Sequence, residues 1–329
     1  MDGNEAYVNK YEKMINNIIQ NNIDKDYLKG FYFYILNNKA SYSTAYDYLN
    51  YVVNFMNCNK KKANELLLDD YTEFLTSISK FSTSYQISVY SGLKKFASYL
   101  IDSKRTTDNP MLHVSRPKYQ ESQETIEKRE IGYLDKKEIK EYLKVTKKGA
   151  GSDRAIARQQ NWKERDLLII RIFLHTGMRC SALYKLDVNS INFSKKTLTT
   201  VEKGKKVQIF ELTDELIECV NEWLTKRELI LNDVKEDALF ISNQRTRMDQ
   251  SSISRVVNKY SHSIKGKHIT PHKLRATYGT HLLKETNDIY FVQKAMNHSS
   301  PKVTELYIRG ERESNRRKAS DIMSKIVSL

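Results

Sequence analysis

The chain has 329 residues, of which 40% are hydrophobic and 29% charged, with only 11 Gly and 4 Pro, a balance that excludes collagen-like, low-complexity and disordered classes. Its 55 Lys and Arg against 40 Asp and Glu leave a formal charge of +15, which favours a polyanionic partner, although a lysine-rich solvated surface gives the same figure. The longest apolar stretch, Leu167 to Leu174, is interrupted by Arg171 and falls well short of the roughly 20 residues a membrane span needs, so no transmembrane helix is expected.

The amino-terminal MDGNEAYVNK carries acidic residues and no apolar run, which argues against a secretory signal. Cys58, Cys180 and Cys219 are odd in number, widely spaced and free of any CxxC pair, so neither a disulfide framework nor a zinc site is expected and the compartment reads as reducing, the cytoplasm. Length points to two domains. Apolar residues recur at helical spacing through the first third: Val8, Tyr11, Ile15 and Ile18, then Leu49, Val52, Val53 and Met56, then Ile87, Tyr90, Leu93, Phe96 and Leu100. Asp69 and Asp70 stand before Tyr71, Phe74, Leu75 and Ile78 as N-caps would, and Ser82 or Thr83 is placed to cap the next helix. Residues 1–118 therefore read as a small all-helical domain.

Pro110 and Pro117 bracket a change of character, and Gln120 to Arg129 is polar and charged with almost no apolar residue, as a linker over 119–133 would be. The second domain, 134–329, restarts a helical pattern at Leu134, Ile139, Tyr142 and Leu143. Lys147 to Gln160 reads as an exposed loop or an insertion, and its GAGS lacks the Gly-Lys-Ser/Thr ending of a phosphate loop. Leu167 to Leu174 reads as a buried helix leading into His-Thr-Gly-Met-Arg. Thr197 to Val201 and Val207 to Leu212, with Val207 and Ile209 alternating against polar neighbours, predict a β-hairpin around a lysine-rich turn. Helix returns at Asp214 to Trp223 and Ser251 to Tyr260. Thr270-Pro271 and Ser300-Pro301 each supply an N-cap residue followed by Pro at the first helical position. The fold class is thus mainly α with a small β element. Charge is uneven: residues 1–118 hold 15 basic and 12 acidic side chains, 119–329 hold 40 and 28.

Three places carry candidate chemistry. His272 and Arg275 lie three apart at the start of the helix opened by Thr270-Pro271, a setting that suits a phosphate. The spacing alone is weak, because His113, His262 and His281 also have Lys or Arg three residues on, and for an isolated pair a surface histidine beside an arginine is the stronger reading. Arg179 follows a glycine turn at the end of an apolar helix. Two planar guanidinium forks can hold both non-bridging oxygens of one phosphodiester, while an ordinary helix C-terminal cation is the alternative. Tyr307, one of 21 tyrosines, lies nine residues beyond His298 on the helix opened by Ser300-Pro301.

The blocks HTGMRCSAL, TVEKGKK, TPHKLRATYGTHLL and NHSSPKVTELYIRG occur in the order found in the tyrosine recombinase (phage integrase) superfamily, and the chain resembles Xer-type site-specific recombinases of Gram-positive bacteria. The likeness spans most of residues 130–310 and is more diffuse over the helical amino-terminal part. It implies that Arg179 is the first family arginine, Lys203 the hairpin lysine, with Lys205 and Lys206 as neighbours in that turn, His272 and Arg275 the His-x-x-Arg pair, His298 the late His/Trp position and Tyr307 the nucleophile. Ala182 stands where many members have Glu, Asn297 where Gly is common, and Ala276 where His is frequent.

The resemblance further implies a core DNA-binding domain in 1–118, which with the catalytic domain clamps a double-stranded DNA site. Implied too is a 3′-phosphotyrosyl intermediate that needs no metal, ATP or other cofactor, and strand exchange in Xer-like resolution or in integration and excision of a mobile element. A short amphipathic tail at about 311–329, with Ile322, Met323, Ile326, Val327 and Leu329, implies docking in trans on a neighbour in a homotetramer on two DNA sites, against folding back on its own domain. Two alternatives are a type IB topoisomerase and a catalytically inactive architectural DNA-binding protein.

Overall fold

A computed structural model describes residues 3–20, 24–118, 132–202, 206–264 and 267–297, and the chain divides into two units, Met1–Ser122 and Gln123–Leu329. The first unit contains α1 (Gly3–Gln20), α2 (Lys25–Asn37), α3 (Tyr42–Asn59), α4 (Leu68–Ser77) and α5 (Thr83–Asp102). The apolar positions that mark α1, α3 and α5 in the sequence meet in one core, where Ile15, Leu49, Val52, Leu93 and Phe96 are all fully buried. α2, which the sequence analysis does not single out, brings Leu28, Phe31, Tyr32 and Ile35 to that core at i, i+3, i+4 and i+7.

Ser82 caps α5, its hydroxyl accepting from the Tyr85 N–H at 3.3 Å. Asp69 and Asp70 are not N-caps. They lie in the first turn of α4, behind Leu67 at the cap position, and Asp70 Oδ2 accepts from the Leu67 N–H at 2.8 Å while Lys61 Nζ donates to Oδ1 at 2.7 Å. Carboxylates in a first turn oppose the positive end of the helix dipole, so the sequence signal was an acidic first turn rather than a cap.

The second unit contains α6 (Lys136–Lys148), α7 (Asp153–Gln160), α8 (Lys163–Thr176), α9 (Cys180–Leu183), α10 (Asp214–Leu231), α11 (Gln250–Lys259), α12 (Pro271–Thr286) and α13 (Ile289–Ala295). A three-stranded antiparallel sheet, in the order β1 (Ile191–Asn192), β2 (Thr197–Glu202), β3 (Lys206–Glu211), lies between α9 and α10 in the chain. The architecture is mainly α with one small sheet, as the sequence predicts. α8 is the central element, packed by α6, α10, α11 and α12. Leu168, Ile169, Ile170, Ile172 and Phe173 are all fully buried, so the helix is covered around its circumference, as its unbroken apolar run requires.

At the start of α8, Asp166 is wholly buried and fully occupied. It accepts from Arg165 Nε and Nη2 at 3.0 and 2.9 Å, from Lys259 Nζ at 2.5 Å and from the Tyr260 hydroxyl at 2.8 Å. The Arg165 guanidinium also lies 4.2 Å from the Trp162 ring centre. The pairing lets a buried charge persist at the head of the central helix.

One further sequence expectation changes. Lys147 to Gln160 is not a loop throughout, since its second half is α7, with Ser152 at the N-cap position. No residue of α7 is buried, so no apolar periodicity marks it. Gln159 instead closes the preceding turn by exchanging hydrogen bonds with Ala150 N–H and C=O at 2.9 and 2.7 Å. The hairpin forms as expected, with Val201 opposite Val207 and Glu202 opposite Lys206, but Val201, Val207 and Ile209 lie on its solvent face, each more than half exposed. Leu198 and Thr200 are buried, and Gln208 and Phe210 are half-buried on the inner face. β1 adds a third strand, only two residues long, that the sequence analysis does not predict.

Where the chain enters the second unit, both backbone groups of Leu134 are held by α12. The Leu134 N–H donates to Thr277 Oγ1 at 3.0 Å, and His281 Nε2 donates to the Leu134 carbonyl at 2.8 Å. Lys267 Nζ donates to the Tyr133 carbonyl at 2.8 Å. His281 is thus a structural histidine. Among the described residues no helix is long and apolar enough to cross a membrane.

Candidate active site

α8 ends at Gly177, whose φ of +58° is the left-handed conformation that terminates a helix, with its N–H returning to the Phe173 carbonyl at 2.9 Å. A β-carbon there would lie 2.3 Å from Cδ1 of Tyr278 on α12, so glycine is required both by the turn and by the approach of that ring. Two residues later Arg179 takes extended backbone angles as the N-cap of α9. Arg179 Nη2 donates to the carbonyl of Asn297, just past α13, in a long contact of 3.5 Å.

Arg275 leaves the second turn of α12, a helix started as predicted by Thr270, whose hydroxyl accepts from the Lys273 N–H, and by Pro271. The Arg275 side chain is almost completely buried and spans two backbone carbonyls: Nη1 donates to Gly177 and Nη2 to Met296 at 2.6 Å. Each guanidinium carries five donors in a rigid plane, so these contacts set the direction of the fork as well as its position. The two arginines thus arrive from elements nearly a hundred residues apart and meet on consecutive carbonyls, Met296 and Asn297. The third acceptor in that run, Ala295 C=O, takes a hydrogen bond from Gln208 Nε2 on β3 at 3.2 Å, a residue the sequence analysis does not single out.

Asn297 has φ +49°, in the left-handed region. Asparagine is among the few side chains that enter it readily, which explains how this chain dispenses with the glycine common at that position. Ala182, standing where many members have Glu, is buried inside α9. His272, at the second position of α12, is exposed, in contrast to Arg275 one turn on. The Tyr278 phenol is pushed up by burial, an effect that neighbouring Arg275 opposes. Burial likewise pushes the Cys180 thiol, adjacent to Arg179, up to about 11, with the Ser254 hydroxyl opposing.

Of the remaining expected residues, Lys203, Lys205, His298 and Tyr307 lie outside the described residues, as do Gln120 to Arg129, Ser300-Pro301 and the tail from 311. Lys206 opens β3. Among the described residues no group of three or more His, Cys, Asp or Glu converges to hold a metal ion. A groove of about 490 Å³ beside this region shares Thr277 and Tyr278 with α12 and has an apolar lining that includes Ile139, Leu143, Leu174 and Leu282; neither Arg179 nor Arg275 reaches it.

Comparison with known proteins identifies the relatives of this chain and of its fold. The chain is 26% identical over 221 residues to tyrosine recombinase XerC of Actinobacillus succinogenes, covering 66% of this chain and 67% of that protein. It is 29% identical over 218 residues to tyrosine recombinase XerC of Vibrio cholerae, covering 66% and 64%. Its fold is shared by the XerH site-specific recombinase in a post-cleavage complex with palindromic difH substrate, at a TM-score of 0.66 and 21% identity over 85% of this chain and 79% of that one. A lambda integrase dimer bound to a COC′ core site shares it too, at a TM-score of 0.62 and 13% identity over 86% and 76%. Neither the topoisomerase nor the inactive-protein alternative is favoured by these matches. The phage integrase family model matches residues 132–313, more than half of the chain, and the chain therefore belongs to the phage integrase family, the tyrosine-type site-specific DNA recombinases.

Proposed function

We propose that this recombinase cleaves and rejoins double-stranded DNA through Tyr307, with Arg179 and Arg275 gripping the scissile phosphate. A phenol with a pKa near 10 is only about one part in a thousand ionised at neutral pH, so the nucleophile needs a proton acceptor and a positive field. His272 takes the proton from Tyr307 as its oxygen attacks phosphorus. Arg179, Arg275 and His298 neutralise the charge that grows on the non-bridging oxygens, and losing one such donor costs about a hundred- to a thousandfold in rate. Lys203 gives its proton to the 5′ oxygen as the P–O5′ bond breaks. The products are a 3′-phosphotyrosyl linkage and a free 5′-hydroxyl. Bond energy is retained in that linkage, so no ATP or metal is called for, and attack by a 5′-hydroxyl from another strand completes exchange.

The observation that carries this reading is the convergence of two guanidinium groups, one buried, on the carbonyls immediately before His298. In the same reading residues 1–118 form the core DNA-binding domain, 119–133 the linker, and 134–329 the catalytic domain. The excess of basic residues beyond 118 acts as a salt-sensitive grip on the DNA backbone. The amphipathic tail docks on a neighbouring protomer to give a homotetramer on two sites, and the apolar groove beside α12 is a surface of the kind such a segment fits. The protein acts in the cytoplasm. The test is to select bound sequences from random duplexes, place a nick near the centre of the selected site, and look for a protein–DNA adduct that survives denaturation. Wild type should form it and Tyr307→Phe should not; an adduct that persists in Tyr307→Phe refutes the assignment.

A further inference from the structure

Three consecutive carbonyls at the end of α13 accept from side chains on three separate elements: Ala295 from Gln208 on β3, Met296 from Arg275 on α12, and Asn297 from Arg179 at the head of α9. The last carbonyls of a helix have no partner within it, and a seven-residue helix is too short to hold its own geometry. Among the described residues α13 is anchored by a small apolar cluster, in which Val292 and Met296 pack with Leu283 and neighbours. The position of its terminal turn is therefore set largely by the side chains that take its carbonyls. Two of those are the proposed phosphate-binding arginines. The third is an uncharged amide on a strand whose register is fixed, Gln208 lying opposite the buried Thr200.

We propose that Gln208 is a positioning residue for the arginine pair: its amide fastens the end of α13 to β3 and so holds still the carbonyl frame from which Arg179 and Arg275 are aimed. The inference rests on the reading of the two arginines as the phosphate-binding pair. Displacing reacting groups by about 1 Å can cost a hundredfold in rate, so a loose frame should be felt in the chemical step and not in DNA binding.

The test uses the full chain and the nicked selected duplex. Gln208→Met removes the donor at nearly constant length, and Gln208→Lys keeps one. Gln208→Met should slow adduct formation about ten- to a hundredfold while DNA affinity and the tryptophan-detected melt stay close to wild type, and Gln208→Lys should recover most of the rate. A methylphosphonate at the scissile position removes one negative oxygen and with it part of the need for well-aimed cations, so on that substrate the Gln208→Met defect should shrink to about threefold or less. A bridging 5′-phosphorothiolate instead supplies a leaving group that needs no proton, and the defect should persist there.

Wild-type cleavage by Gln208→Met, a defect undiminished on the methylphosphonate, or one that disappears on the phosphorothiolate overturns the inference. Should Gln208→Met lose its cooperative melt, Gln208→Asn, with the amide one methylene short, carries the same expectations. Arg179→Ala is the reference: if its own defect is not relieved by the methylphosphonate, the arginine reading fails, whereas relief of Arg179→Ala without relief of Gln208→Met sinks only the role given to Gln208.

Discussion

Replacing Gly177 by alanine tests whether the turn after α8 is sterically committed to glycine. The left-handed φ of +58° costs an L-residue about 1–2 kcal/mol. The new β-carbon would also sit 2.3 Å from Cδ1 and 2.9 Å from Cγ of Tyr278, so the ring or the turn must move, a form of overpacking that costs about 1–3 kcal/mol. Together the loss is about 2–5 kcal/mol, which for a unit of roughly 200 residues lowers the melting temperature by about 4–20 °C. The only two tryptophans, Trp162 and Trp223, both lie in the second unit, so fluorescence melts report it selectively. A double-mutant cycle with Tyr278→Ala separates the two contributions. The clash should appear as a coupling of about 1–3 kcal/mol in favour of the double mutant, leaving only the backbone strain. Purely additive changes would refute the steric argument, and an unchanged melt in Gly177→Ala would refute both parts of it.

Other outcomes follow from the same contacts. Arg275→Lys substitutes a point charge for a fork that bridges the Gly177 and Met296 carbonyls, and should lower adduct formation about a hundred- to a thousandfold while changing DNA affinity far less; equal losses in both would show that Arg275 serves binding alone. Asp166→Ala strands Arg165 and Lys259 at the head of α8 and should destabilise the second unit by about 3–5 kcal/mol in tryptophan-detected denaturation, a result contradicted by a loss below about 1 kcal/mol. In the first unit, burial by itself raises the Asp70 carboxyl, but the Leu67 N–H and the Lys61 ammonium outweigh it and hold the group below its ordinary 3.8. A depressed carboxylate contributes stability that is complete above the ordinary value and lost as pH falls through the lower folded value. The protection factors of the α4 amides, each referred to the intrinsic exchange rate at that pH, should therefore fall below about pH 4 in wild type and change much less over that range in Asp70→Asn.

What was legible in the sequence is what local chemistry dictates. The unbroken apolar run of α8, the Thr270-Pro271 start of α12 and the alternation of the hairpin each declare their element, because capping and periodicity act within a few residues. α7 escaped because nothing in it is buried, so the signal that periodicity carries was never written. The hairpin was located but its faces were not, since alternation alone does not say which side meets the core, and here Val201, Val207 and Ile209 face solvent. Arg179 and Arg275 were visible as candidates from the turn and the helix start that present them. Their meeting on Met296 and Asn297 was not, because it joins positions up to 118 residues apart through backbone acceptors, and a carbonyl leaves no residue-specific trace in a sequence. For the same reason Gln208 looked like any polar residue in a strand.

The clamp on Leu134 couples the arrival of the chain to the helix that carries Arg275. Thr277 and His281, which take the two backbone groups of Leu134, stand two and six residues beyond that arginine on the same helix. Tension pulled through the preceding residues is delivered onto the side of α12, not dissipated in a loose surface segment. A displacement of Leu134 is in this sense registered on α12 itself, at Thr277, within one turn of the residue that carries the buried guanidinium.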